Sequence, residues 1–137
     1  MIYLDTCAAL KLTRVEDGSR ELTSWLAAQP GARFVSSVLL DVELERALRR
    51  NEPSALPVVP SILRRIARIE IDPMIRAMAA AYPDPLLRTL DAIHLATAQT
   101  VAAQSSEGLS ALVSYDKRLV IAARTAGLTV EHPGARY

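Results

Sequence analysis

The sequence predicts an α/β fold, a three-layer α/β/α sandwich around a central, mostly parallel sheet. Three observations lead there. Short apolar runs such as Ile2-Tyr3-Leu4 and Ala111-Leu112-Val113 read as buried strands, and they alternate with segments of helical period. Parallel neighbours need long crossovers, and helices placed between strands supply them on both faces. The length of 137 residues suits one domain, 1–137, with a core of its own.

The elements follow in order. Ile2 to Leu4 is the first strand, and Thr6 opens a helix. Lys11 to Ala28 continues as helix with a break near Asp17-Gly18, and Gln29-Pro30-Gly31 turns the chain. Arg33 to Ser36 is a second strand. Ser37 can cap a helix over Val38 to Arg50. Pro53, Pro57 and Pro60 make the next stretch loop or broken helix. Ser61 to Arg68 reads as a short helix and Ile69-Glu70-Ile71 as a third strand. Helices follow over Pro73 to Tyr82 and Thr89 to Gln104, separated by Pro83-Asp84-Pro85. Ala111 to Val113 is a strand, and Asp116 to Ala126 a helix that Gly127 stops. Leu128 to Val130 is the last strand.

Composition narrows the function classes. The chain is 50% hydrophobic and 23% charged, which is globular rather than disordered. One Phe and one Trp leave little for aromatic platforms that stack single-stranded nucleic acid. A net charge of +1 advertises no polyanion partner, so any nucleic-acid surface is local. Cys7 is the only cysteine, which forbids an internal disulfide and fits a reducing compartment. Neither a secretory signal nor a membrane-length apolar run is present, so a soluble, cytoplasmic protein is expected.

Chemistry is expected from carboxylates. Asp5 stands where the first strand ends, the end at which open α/β sheets bind ligands. Asp116 stands two residues after the strand Ala111–Val113. Each also reads as a helix N-cap. At 100° per residue, Glu43 falls between Leu39 and Ala47 on an apolar stripe, while Asp41 and Glu45 lie on the opposite, solvated side. A carboxylate on that stripe needs compensation, either from Arg46 or Arg50 at helical spacing or from a site. Asp91 lines up with Leu95, Ala98 and Ala102, away from Thr97, Thr100 and Gln104. It reads either as a first-turn acid favoured by the helix dipole or as a site acid. His94 can share its side. Four acids drawn together repel one another, and hard divalent cations relieve that repulsion. An all-oxygen set suits Mg²⁺ or Mn²⁺, and carboxylate-held cations are the arrangement of two-metal phosphodiester cleavage.

On these residues the chain resembles a known family along nearly its whole length. Tyr3-Leu4-Asp5-Thr6, the Ser36 to Leu44 stretch carrying Glu43, Leu90-Asp91-Ala92-Ile93-His94-Leu95-Ala96 and Val113 to Leu119 resemble the acidic motifs of PIN-domain ribonucleases. The nearest type is the VapC toxin of bacterial toxin–antitoxin pairs. Cys7 stands where Ser or Asn is common, and Ser114 where Thr is common. The resemblance implies a PIN-like sandwich and a metal site of Asp5, Asp91 and Asp116, with Glu43 completing the catalytic set and Thr6 and Ser114 as auxiliaries. It also implies Mg²⁺-dependent endonucleolytic cleavage of RNA, a homodimer, and inhibition by a cognate antitoxin.

Arg46, Arg49 and Arg50, and Lys117 and Arg118 nearer the site, are the candidates for contacts to RNA phosphates. Trp25 fits either the core or an antitoxin groove. Two other readings compete. A phosphoacceptor receiver-like domain would want adjacent acids after the first strand, whereas Asp5 stands alone. A catalytically silent PIN-like module would bind RNA or protein without cleaving.

Overall fold

The computed structural model describes residues 1–137. Five parallel strands form one sheet in the order β3-β2-β1-β4-β5. They are β1 (Ile2–Leu4), β2 (Phe34–Ser37), β3 (Ile66–Ile69), β4 (Ala111–Val113) and β5 (Val130–Glu131). The helices between them are α1 (Thr6–Thr13), α2 (Ser19–Ala27), α3 (Leu40–Asn51), α4 (Val59–Leu63), α5 (Pro73–Ala81), α6 (Thr89–Gln104) and α7 (Lys117–Thr125). No helix is long and apolar enough to cross a membrane.

Strand period separates the two faces. Ile2 and Leu4 point into a core with Ala8, Leu22, Leu40, Leu44 and Leu48, drawn from α1, α2 and α3. Trp25 packs against that core, half-buried. Tyr3 points the other way, among Val35, Leu95, Ala98, Leu112 and Leu119. β1 is therefore covered on both sides, with its partners β2 and β4 bonded to either edge. The chain winds outward from β1 through β2 to β3, then returns to β4 on the opposite flank. The crevice at the carboxyl ends of β1 and β4 is the topological switch point, the place where such sheets bind ligands.

Several expectations change. The break expected near Asp17-Gly18 is present but wider, with Arg14–Gly18 separating two helices and Gly18 at φ 88° as the α2 N-cap. The proline segment winds as a 3₁₀ turn over Pro53–Val58 and leads into α4, where Pro60 sits in the first turn, a position needing no N–H donor. The third strand lies at Ile66–Ile69 rather than Ile69–Ile71, paired in register with Phe34–Ser37. The arginines at 64, 65 and 68 give that stretch a helical look. The pairing is decided by Ile66, which buries on the sheet, and Ile69, which packs against its other side. The last strand starts at Val130, because Leu128 is still tied to the end of α7 through its N–H to Ala123 O. Nor is α6 amphipathic: Thr97 and Thr100 are buried, their hydroxyls donating to Ile93 O and Ala96 O one turn back.

Candidate active site

Four acids reach one crevice from four elements. Asp5 follows β1 and caps α1, accepting the Ala8 N–H at 2.9 Å. Asp116 follows β4 and caps α7, accepting the Arg118 and Leu119 N–H groups at 2.9 and 3.3 Å. Because β1 and β4 are neighbours, these two carboxylates are neighbours as well. Glu43 comes from the first turn of α3 in one helical layer, and Asp91 from the first turn of α6 in the other. Together with Thr6, Cys7, Arg88, His94 and Arg118, all four line a crevice of about 420 Å³.

The electrostatics are those of crowded, half-dried carboxylates. Asp5 is 3% exposed. Burial pushes its carboxyl up to about 6. His94, the Ser114 hydroxyl and the Ala8 N–H hold it back, while the Asp116 charge pushes it further. Ser114 Oγ donates to Asp5 Oδ2 and accepts from the Asp116 N–H at 3.1 Å, so one buried hydroxyl ties the two strand ends together. Asp91 is likewise raised by burial and by Asp116, with Arg118 opposing. Its Oδ2 is buried with no hydrogen-bond partner. Cys7 is pushed up by burial and then by all four acids, so its thiol stays protonated.

Glu43 behaves differently. Burial pushes it up, but His94 and the Thr6 hydroxyl outweigh that and hold it below the ordinary carboxylate range. Thr6 Oγ1 donates to Glu43 Oε1 at 2.8 Å, and His94 Nε2 meets the same oxygen at 2.8 Å. Arg46 and Arg50, the helix neighbours expected as alternative partners, make no ion pair with it. The ion pairs on this helix are Arg49 with Glu45 at 3.6 Å and Arg68 with Asp41 at 2.8 Å, both on the solvated side.

The residues fit a hard cation by donor chemistry. Two acids, Asp5 and Asp91, raised by burial and further by the Asp116 charge, and an orphaned buried oxygen on Asp91 are the features a cation relieves. As the side chains stand, no three of the His, Cys, Asp and Glu groups are drawn close enough to hold an ion between them.

The family model for the PIN domain matches residues 2–125. The chain belongs to the PIN-domain family. Within it, this PIN domain is 54% identical to "Ribonuclease VapC35" of Mycobacterium tuberculosis over 134 residues, covering 98% of each chain. It is 36% identical to "Ribonuclease VapC47" of the same species, again over 98% of each. Two solved structures share the PIN fold at low identity. VapC20 of M. tuberculosis, described as a sarcin–ricin loop cleaving toxin, superposes with a TM-score of 0.69 at 14% identity over 89% of this chain and 95% of its own. VapBC2 of Rickettsia felis, bound to a DNA fragment from its promoter, gives 0.66 at 15% over 97% and 99%.

Of the basic residues expected at the RNA, only Arg118 lines the crevice of this PIN domain, beside Asp116 at 4.0 Å. Lys117 lies over the Tyr137 ring at 5.5 Å, and Arg46, Arg49 and Arg50 are exposed on α3 outside the crevice. Sequence reading missed Arg88, which lines the crevice at the residue before α6. It also missed the buried partners of His94. The signal available was Tyr3: a tyrosine inside a central strand must find a partner for its hydroxyl.

Proposed function

We propose that this protein is a metal-dependent endoribonuclease, the toxin of a VapBC pair, acting as a single domain over 1–137. The observation that carries the reading is the convergence of Asp5, Glu43, Asp91 and Asp116 on one crevice, with Asp91 Oδ2 unpartnered inside it. Relatives at 54% and 36% identity that carry the ribonuclease name support the substrate class.

In this reading Asp5, Asp91 and Asp116 hold one or two Mg²⁺, or Mn²⁺, and Glu43 completes the set directly or through water. A bound cation supplies water activation near neutral pH and charge stabilisation at the phosphodiester. The chain's own residues prepare that chemistry. Ser114 and the Ala8 N–H fix the two oxygens of Asp5. Helix-terminal N–H groups fix Asp116. Arg88 and Arg118 offer the anionic backbone cationic partners at the rim. Arg46, Arg49, Arg50 and Lys117 extend phosphate contacts over the surrounding surface. A cognate antitoxin would silence the enzyme by presenting a basic side chain to the acidic crevice and apolar residues to a neighbouring groove. The reading also takes the protein as a cytoplasmic homodimer.

The test is cleavage of RNA by purified protein with Mg²⁺, with chelator, and by the Asp5→Asn variant. Cleavage that needs the cation and fails in the variant supports the reading. Wild-type rates from Asp5→Asn remove Asp5 from the site, and full activity in chelator removes the metal. An inactive wild-type protein that still binds RNA would favour the silent binding module.

A further inference from the structure

We propose that Tyr3 and His94 are positioning residues that hold Glu43 toward the cation site, an inference that rests on the nuclease reading above. His94 is 3% exposed, and its two ring nitrogens have different partners. Nδ1 lies 2.6 Å from the Tyr3 hydroxyl, and Nε2 lies 2.8 Å from Glu43 Oε1.

The chemistry of the two ends fixes the protons. Glu43 Oε1 already accepts the Thr6 hydroxyl, and an ionised carboxylate only accepts. Nε2 must therefore carry a proton and donate it. In a neutral ring that leaves Nδ1 as acceptor. Tyr3 supplies the matching donor: it is fully buried in the middle of β1, and a phenol keeps its proton near neutral pH. The direction of donation is thus Tyr3 O–H to Nδ1, then Nε2–H to Glu43. The Tyr3 and His94 rings also meet edge to face at 5.8 Å between centroids, which holds the imidazole plane.

The consequence lies at the carboxylate. Thr6 and His94 both donate to Oε1, and neither touches Oε2. Glu43 is thereby held by one oxygen and presents the other to the crevice it lines. The tether crosses the sheet. Tyr3 belongs to the central strand and His94 to α6, while Glu43 belongs to α3 in the opposite layer. Outer partners that orient a ligand typically change metal affinity or activity 10- to 100-fold when removed.

The experiment measures Mn²⁺ affinity by calorimetry and electron paramagnetic resonance, on the full chain without RNA. His94→Leu should weaken Mn²⁺ binding about 10- to 100-fold. Tyr3→Phe should weaken it by a smaller factor, and His94→Gln, whose amide still donates, should recover most of the loss. Thermal melts of each variant separate a folding defect from a binding one. Placing His94→Leu on a Glu43→Gln background gives the decisive comparison, because a residue that acts through Glu43 adds no further loss there. Nitrogen NMR of the wild-type ring should show the Nε2–H tautomer. An undiminished affinity in a folded His94→Leu, a fully additive double variant, or an Nδ1–H ring would each overturn the proposal. If Glu43→Gln itself leaves Mn²⁺ affinity unchanged, Glu43 is not part of the cation site and the proposal falls, while the nuclease reading still stands on Asp5, Asp91 and Asp116.

Discussion

Removing the charge of Asp5 should stabilise the metal-free protein while destroying its activity. The folded carboxyl titrates at about 6 against an ordinary value of 3.8, mainly because it is buried. A shift of about two units corresponds to roughly 3 kcal/mol favouring the protonated form, at 1.36 kcal/mol per unit. Because the folded value lies above the unfolded one, the folded state binds the extra proton. Stability is then complete below about pH 4, falls as pH rises through 6, and levels off above it. Asparagine suits the position: its oxygen can keep the Ala8 N–H, and its amide can donate to Ser114 Oγ in place of the present bond. Asp5→Asn in chelator at pH 7.5 should therefore melt several degrees above wild type, with about 3 kcal/mol as the ceiling. Its melting point should also change less between pH 4 and 7. Added Mg²⁺ should raise the wild type and leave the variant nearly where it was. A variant less stable than wild type in chelator at pH 7.5, with the same pH slope, would refute the claim that Asp5 is held as a costly buried charge.

Three further variants test the site and the surface around it. Ser114→Ala removes a fully buried hydroxyl that serves both Asp5 and the Asp116 N–H, so it should cost about 1–3 kcal/mol in a denaturant melt. The same variant should shift the activity profile toward higher Mg²⁺, and an unchanged requirement would count against Ser114 as a brace. Arg118→Ala should weaken RNA binding and lower the slope of log affinity against log salt by about one, since Arg118 lines the crevice. The Arg49→Glu and Arg50→Glu pair should also flatten that slope, and an unchanged slope for either set would remove that set from the RNA surface.

Much of the fold was legible because strand and helix periods are written in apolar residues. The runs at Ile2–Leu4 and Ala111–Val113 are buried at every position, and no other reading of them competes. β3 lies three residues earlier than the sequence suggests because this edge strand is only partly covered, with Ile66 buried on one face and Ile69 half-buried on the other. Ala67 and Arg68 are exposed there, so the hydrophobic signal is thin and the arginines read as helix surface. The threonines of α6 misled for a related reason. Their hydroxyls are satisfied by the helix's own carbonyls, so they bury without a partner visible in sequence. At the site, the acids stood out because a carboxylate on an apolar stripe breaks a pattern. Their partners did not. The bonds from Thr6 and His94 to Glu43 span 37 and 51 residues. No local period carries such pairings; the sheet order creates them.

In the sequence, capping a helix and forming a site compete as explanations for Asp5 and Asp116. In the folded chain the two roles support each other. A cap spends one set of lone pairs on N–H groups at a helix N-terminus, where the partial positive charge favours a carboxylate. That fixes the side chain and offsets part of the repulsion between the two acids, without occupying every lone pair. Asp91 sits in the first turn of α6 and gains from the same dipole, yet keeps Oδ2 without a donor. Three helix N-termini thus aim three carboxylates at one end of the sheet. What these termini leave uncompensated is charge at the centre of the crevice, where Asp116 still raises both Asp5 and Asp91. A divalent cation at that centre would neutralise the remainder while leaving the caps intact. The protein can therefore fold around the acids without a cation, at a cost in stability that a bound cation would return.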